Sequence, residues 1–370
     1  MKERFEVLDI FRGIFSSLVV FFHMSAFSET PVINNEFVYN ADLFVDFFFV
    51  LSGFVIAYSY QFISTGSQLG KFFKKRFFRL YPLHFIVLLL FVGIELSKHF
   101  AAQYVTVNQL DNQHNNATTF LSNLFLLNSV KLPGVHDVSW NIASWSISAE
   151  MIAYFVFGIA VMLINVTKIA AARNVVYVLI VIAAFSSLYY FTGTFELTRS
   201  FDYGFLRGIT GFFMGVLCFN TFTATKKWLK PLPNSLFSFF EAIALAVTFT
   251  FVWYGDTFKA HGYIYEALFF ITILIFAFEK GILSAWLKKP AILHETGKLS
   301  YSIYMIHTLV LSLFNVVFIR VLKLPPSAYA YLFVVNYLIV FWLARRTFKY
   351  IEMRFNLANK TEGKKAWWLW

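Results

Sequence analysis

The alternation of apolar and polar stretches divides the chain into ten apolar segments, at 10–27, 43–60, 80–97, 145–166, 174–191, 204–219, 236–254, 263–278, 300–319 and 330–344. Most approach the ~20 residues that a helix needs to cross a ~30 Å hydrocarbon layer. The pattern therefore predicts an all-α polytopic membrane protein of about ten spans, with a single membrane domain over 1–355 and a short tail at 356–370. One connection is long, 98–144: it starts polar (QLDNQHNNATT) and ends in FLSNLFLLNSV, whose spacing suits an amphipathic helix lying at the membrane surface. The tail carries Trp367, Trp368 and Trp370, residues suited to the headgroup level.

Charge fixes the expected orientation. With the N-terminus inside, the inner segments hold 23 of the 31 Lys and Arg and the outer loops hold 6, with Arg12 and Arg207 within spans. So strong a positive-inside bias predicts a plasma-membrane or inner-membrane protein with both termini cytoplasmic. Composition agrees: the chain is 59% hydrophobic and 14% charged, against about 45–50% and about 25% in soluble domains. The net charge of +11 does not signal nucleic acid, because the basic residues sit where topology puts them. Cys218, the lone cysteine, excludes an internal disulfide and gives no metal pattern. The first apolar run is expected to stay uncleaved, since Glu3, Glu6, Asp9 and Arg12 lie before or within it, unlike a signal peptide.

Against this background, ionisable residues inside spans are the functional suspects. Arg12 and His23 share the first span eleven positions apart, close to three turns and roughly 16 Å, so they point to one face. His23 lies near the outer surface, with Asp46 of the second span at a similar depth. An imidazole beside a carboxylate is a minimal general base. Glu150, Arg207 and Glu266 fall at about the same level, and facing one another these groups would form a polar chamber in the outer half. On the inner side, Lys71 to Arg79 reads KFFKKRFFR. Such clusters commonly anchor a span, yet Arg76 and Arg79 share one face, and two guanidinium forks suit phosphate. His307 is expected near mid-depth, where it lines a channel or bonds a neighbouring helix. His84 and the pair Ser52-Gly53 read as structural.

Six motifs in order, LDIFRG…VVFFH, VDFFFVLSGFVI, RFFRLYP, SWSISAE, LSYSIYMIH and YIEMRF, resemble the acyltransferase-3 family of integral membrane acyltransferases over almost the whole chain. The family's Arg and His of the first span match Arg12 and His23, its Arg-x-x-Arg pair Arg76 and Arg79, its Trp-Ser-x-Ser-x-Glu element Trp145 to Glu150, and its Tyr-x-x-His element Tyr304 to His307. The resemblance implies transfer of an acyl group, most often acetyl, from cytoplasmic acyl-coenzyme A to a glycan hydroxyl at the outer face. It places His23 as base with Asp46 or Glu150 supporting it, and Arg12, Arg76 and Arg79 on the donor. Trp145, Arg207, Glu266, Tyr304 and His307 are then expected along the substrate channel, with no metal. The expected partners are acyl-CoA, a glycan acceptor, the bilayer and glycan-assembly proteins. Direct transfer and an acyl-histidine intermediate stay open, as do a multi-pass transporter of a glycan or acyl donor and an acyltransferase acting on a small molecule or lipid. Two positions depart from the family pattern: Met151 stands where a second Glu is common, and Glu352-Met353-Arg354-Phe355 replaces a Glu-Lys-Pro-Phe ending. The appended external hydrolase-like domain of some members is not expected.

Overall fold

The computed structural model describes residues 4–103, 112–196 and 198–356; the tryptophan-bearing tail and the start of the long loop lie outside them. The described residues form helices joined by turns, because lipid offers the backbone no partners and each segment must satisfy its own. The principal helices are α1 (Glu6–Ser25), α2 (Phe44–Tyr60), α3 (Gly66–Ala101), α4 (Ala117–Leu124), α5 (Trp145–Val166), α6 (Arg173–Thr192), α7 (Gly204–Leu229), α8 (Asn234–Trp253), α9 (Tyr263–Phe276), α10 (Ala291–Asn315) and α11 (Pro326–Thr347). Among the described residues, nine helices are long and apolar enough to cross a membrane. The shorter apolar α9 makes a tenth segment.

Three elements depart from the expected boundaries. α3 runs unbroken through the basic stretch 71–79, with Pro82 inside it. Its 36 residues span roughly 54 Å, well over a ~30 Å core, so its first turns extend past the apolar stretch. α10 starts at Ala291 rather than 300. Past α11, a π-helical turn, Phe348–Glu352, carries the chain back toward the bundle.

α2 and α7 form the central seam, and the sequence shows why they can approach so closely. Gly53 lies against the carbonyl of Phe212, and Gly215 against that of Val50. A Cβ at either position would overlap backbone, which cannot yield as a flexible side chain can. Gly53→Ala and Gly215→Ala are each expected to destabilise the protein by about 1–3 kcal/mol or more, visible as a lower thermal midpoint of the purified protein. The same device joins α1 to α10, where Gly13 faces Gly297; small residues are the usual route to close helix contact in membranes.

α4 is amphipathic with its polar side inward. Thr119, Ser122 and Asn123 are buried, while Leu121, Phe125 and Leu127 are exposed. Asn116 and Thr119 close a capping box at its start, and Trp140 donates from Nε1 to Thr119 Oγ1 (3.1 Å). His84 binds the same element through the Asn123 carbonyl (2.9 Å).

Candidate active site

Helices α1, α2, α3, α5 and α10 surround a cavity of about 830 Å³, its open mouth included. Phe48, Phe49, Leu51, Val55 and Ile56 make much of its wall. Polar groups converge from all five helices: Arg12 and Ser16, Ser52, Arg76 and Arg79, Ser146, Glu150 and Tyr154, and Ser300, Tyr301 and Tyr304. An apolar cleft with a few convergent polar groups is the common form of a small-molecule site. Its lining follows α2 from Ile56 to Val45, roughly 16 Å along the helix.

The three guanidinium groups in the cavity are held differently. Arg12 donates from Nε to Ser300 Oγ (2.6 Å) and from Nη2 to the Gly297 carbonyl (3.0 Å), with Asp9 Oδ1 at 3.7 Å. Arg79 is ion-paired with Glu352, whose other oxygen accepts from Ser302, and it lies 5.2 Å over the Tyr301 ring. Arg76 is as deeply buried, yet among the described residues it forms no ion pair: Nη2 reaches Tyr60 Oη at 3.3 Å, the group lies 5.3 Å over that ring, and Nε has no partner. A buried cation without a counter-charge is costly, and an anion entering the cavity would supply one. Expected twin phosphate forks thus become one open guanidinium, Arg76, beside one committed to Glu352.

Glu150 faces the same cavity. Its Oε1 accepts from Ser52 Oγ (2.6 Å) and from Tyr154 Oη, and the two hydroxyls are 3.0 Å apart. Ser52 therefore belongs to the cavity as well as flanking the α2–α7 seam. The three serines of the SWSISAE stretch tie it to its neighbours: Ser144 donates to Asn123 Oδ1 (3.0 Å) within the long loop, Ser148 of α5 to the loop's Leu126 carbonyl (2.7 Å), and Ser146 of α5 to Tyr304 Oη of α10 (2.8 Å).

His23 and His307 meet just outside the cavity lining. His23 Nδ1 lies 3.0 Å from the Val19 carbonyl and 3.2 Å from His307 Nε2, and His307 Nδ1 lies 2.6 Å from the Tyr304 carbonyl. A carbonyl only accepts, so both Nδ1 atoms carry protons. It follows that His307 Nε2 accepts from His23, and that His23 Nε2 keeps a free lone pair. The expected mid-depth position of His307 is corrected by the earlier start of α10: sixteen residues past Ala291, roughly 24 Å along the helix, His307 is level with His23.

Asp46 is hydrogen-bonded to Arg207 and not to His23. Its two oxygens accept from Arg207 Nε (2.6 Å) and Nη2 (2.7 Å) with both groups buried. Arg207 also donates to the Arg199 carbonyl (3.2 Å) and lies 5.0 Å over the Trp145 ring. Glu266 is within electrostatic reach of both partners, and neither of its oxygens has a hydrogen-bond partner among the described residues. Facing groups were expected to share one chamber; the structure instead separates them into Asp46–Arg207–Glu266, the His23–His307 pair, and Glu150 in the arginine cavity. Sequence spacing gives position along a helix but not the neighbour each face meets, so the pairings differ from those expected. Ser300, Tyr154 and Glu352 were missed as site residues. Glu352 had a signal, its place in the terminal YIEMRF, but was read only as part of a variant ending. No group of three or more His, Cys, Asp or Glu able to hold a metal occurs among the described residues.

Comparison with known proteins bears directly on this arrangement. Protein 2 in the picA locus of Rhizobium radiobacter is 36% identical over 111 residues, which are 28% of this chain and 49% of that protein. The chain thus spans about half the length of that relative. No solved structure matches. Residues 5–345 match the acyltransferase domain of the acyltransferase-3 group. That match covers nearly the whole membrane bundle and every helix lining the cavity: this chain belongs to the acyltransferase-3 family of membrane acyltransferases.

Proposed function

We propose that the protein transfers an acyl group, in the simplest case acetyl, from cytoplasmic acyl-coenzyme A to a hydroxyl of a cell-surface or exported polysaccharide or its lipid-linked precursor, with both termini in the cytoplasm. The observation that carries this reading is the elongated cavity itself. It holds an unpaired buried guanidinium, Arg76, and its wall includes Tyr304, whose carbonyl holds the imidazole that contacts His23. Coenzyme A is a phosphorylated nucleotide on a long thin arm, a shape that suits a narrow cleft with cations.

In this reading Arg76 takes a donor phosphate, with Arg79 and Arg12 adding positive potential from fixed positions. The thioester passes beyond Tyr304 to the His23 level, so donor binding opens that wall. His23 Nε2 removes the proton of the acceptor hydroxyl as its oxygen attacks the thioester carbonyl. The C–S bond breaks, and the same proton passes from His23 to the departing thiolate, leaving an ester and free coenzyme A. Glu150, hydrogen-bonded by Ser52 and Tyr154, is placed to accept an N–H of the donor arm.

Purified protein in vesicles, supplied with labelled acetyl-CoA and hydroxyl acceptors, tests this reading, and acceptor labelling is the expected result. Arg76→Ala is expected to raise the KM for acetyl-CoA by about tenfold or more, the weight of a charge-assisted contact, with kcat changed much less. An equal fall in kcat with KM unmoved would take Arg76 off the donor.

A further inference from the structure

We infer that His307 is the positioning residue for His23: it holds the His23 imidazole with Nε2 free and shares the charge that forms when Nε2 takes a proton. The inference rests on the reading of His23 as the base. Its geometry is a directional chain, Tyr304 carbonyl to His307 Nδ1–H, then His307 Nε2 to His23 Nδ1–H, over 2.6 and 3.2 Å. The rings are 4.9 Å apart, tilted by 54°.

The Val19 carbonyl alone does not explain the pairing. In the regular turn of α1 it already serves the amide of residue 23 four positions on, so the His23 side chain has only a share of it. Among the described residues His307 Nε2 has no other hydrogen bond. When His23 becomes an imidazolium, this lone pair is a second acceptor for its Nδ1–H, 3.2 Å away beside the Val19 carbonyl at 3.0 Å, and one that no backbone amide shares. His307 itself is fully buried and fixed by its own backbone bond, so it cannot swing away as charge develops. In familiar hydrolytic triads a carboxylate fills this post; here Asp46, the carboxylate that the sequence suggests, is engaged by Arg207.

Three substitutions separate positioning from packing. His307→Ala removes the acceptor, His307→Gln keeps a side-chain carbonyl able to accept from His23 Nδ1–H, and His307→Leu fills much of the volume with neither donor nor acceptor. With folded protein verified by size-exclusion profile, His307→Ala and His307→Leu are expected to lower kcat by about 10²-fold with the acetyl-CoA KM unchanged, and His307→Gln to stay within about tenfold of wild type. Wild-type kcat in His307→Ala alongside an inactive His23→Ala would overturn the inference and leave the base in place. A fall in His307→Gln as deep as in His307→Ala would also overturn it. Activity surviving in His23→Ala would remove the base and its partner together.

Discussion

His23→Ala is expected to lower acyl transfer by about 10²- to 10⁴-fold, the range for loss of a positioned general base, while folded protein accumulates normally. The second half of that expectation follows from where the side chain sits. His23 is only partly buried; among the described residues its side-chain hydrogen bonds are to the Val19 carbonyl and His307, and its ring meets that of Phe22 edge-on. No ion pair is broken, and the close backbone approach of α1 to α10, at Gly13 and Gly297, lies about two turns or more away along each helix. Donor affinity is expected to change little, since the guanidinium groups lie at the other end of the cavity. The KM for acetyl-CoA and the thermal midpoint, measured with kcat on one preparation, check all three statements. A variant that loses kcat and thermal stability together would make His23 a packing residue.

Arg207→Met is expected to have the opposite signature, loss of the folded protein before any effect on chemistry. Removing one partner of a buried ion pair costs about 3–5 kcal/mol, a large share of a typical ~5–15 kcal/mol stability. Here the cost is aggravated, because Asp46 and Glu266 would both remain without a cation. Asp46→Asn is expected to be milder. Glu266 is within reach of Arg207 and its oxygens are unengaged, so a second carboxylate stands ready to take the guanidinium. Yields and thermal midpoints of Arg207→Met, Asp46→Asn and Asp46→Asn with Glu266→Gln should therefore rank with the single aspartate variant highest. If Asp46→Asn instead folds as wild type and loses kcat selectively, the carboxylate acts on the chemistry after all.

Much of this was legible in the chain because a bilayer restricts what a sequence can do. Each apolar segment became a helix, and Trp145–Val166 has the boundaries that its pattern gave. The single-face placement of Arg12 and His23 was also readable, since eleven residues are close to three turns. What could not be read was which helix that face meets. It is α10, nearly three hundred residues on, which supplies Ser300 and Gly297 to Arg12 and His307 to His23. Asp46 pairs elsewhere for the same reason: its direction around α2 leads to Arg207 of α7. The start of α3 was misplaced because KFFKKRFFR is too charged to score as a span, although nothing in it stops a helix until Pro82, and even that residue is accommodated. Glu352 was invisible as the counter-charge of Arg79 because 273 residues separate them.

The most direct test of the central claim is mass spectrometry of the surface glycans of cells carrying the wild-type gene, a deletion, or His23→Ala at matched protein abundance. Acyl transfer by this protein predicts an acyl-ester increment on a glycan with the wild-type gene alone. Glycans unmodified in all three strains, with export of a polymer lost only in the deletion, would contradict it and make the protein a transporter.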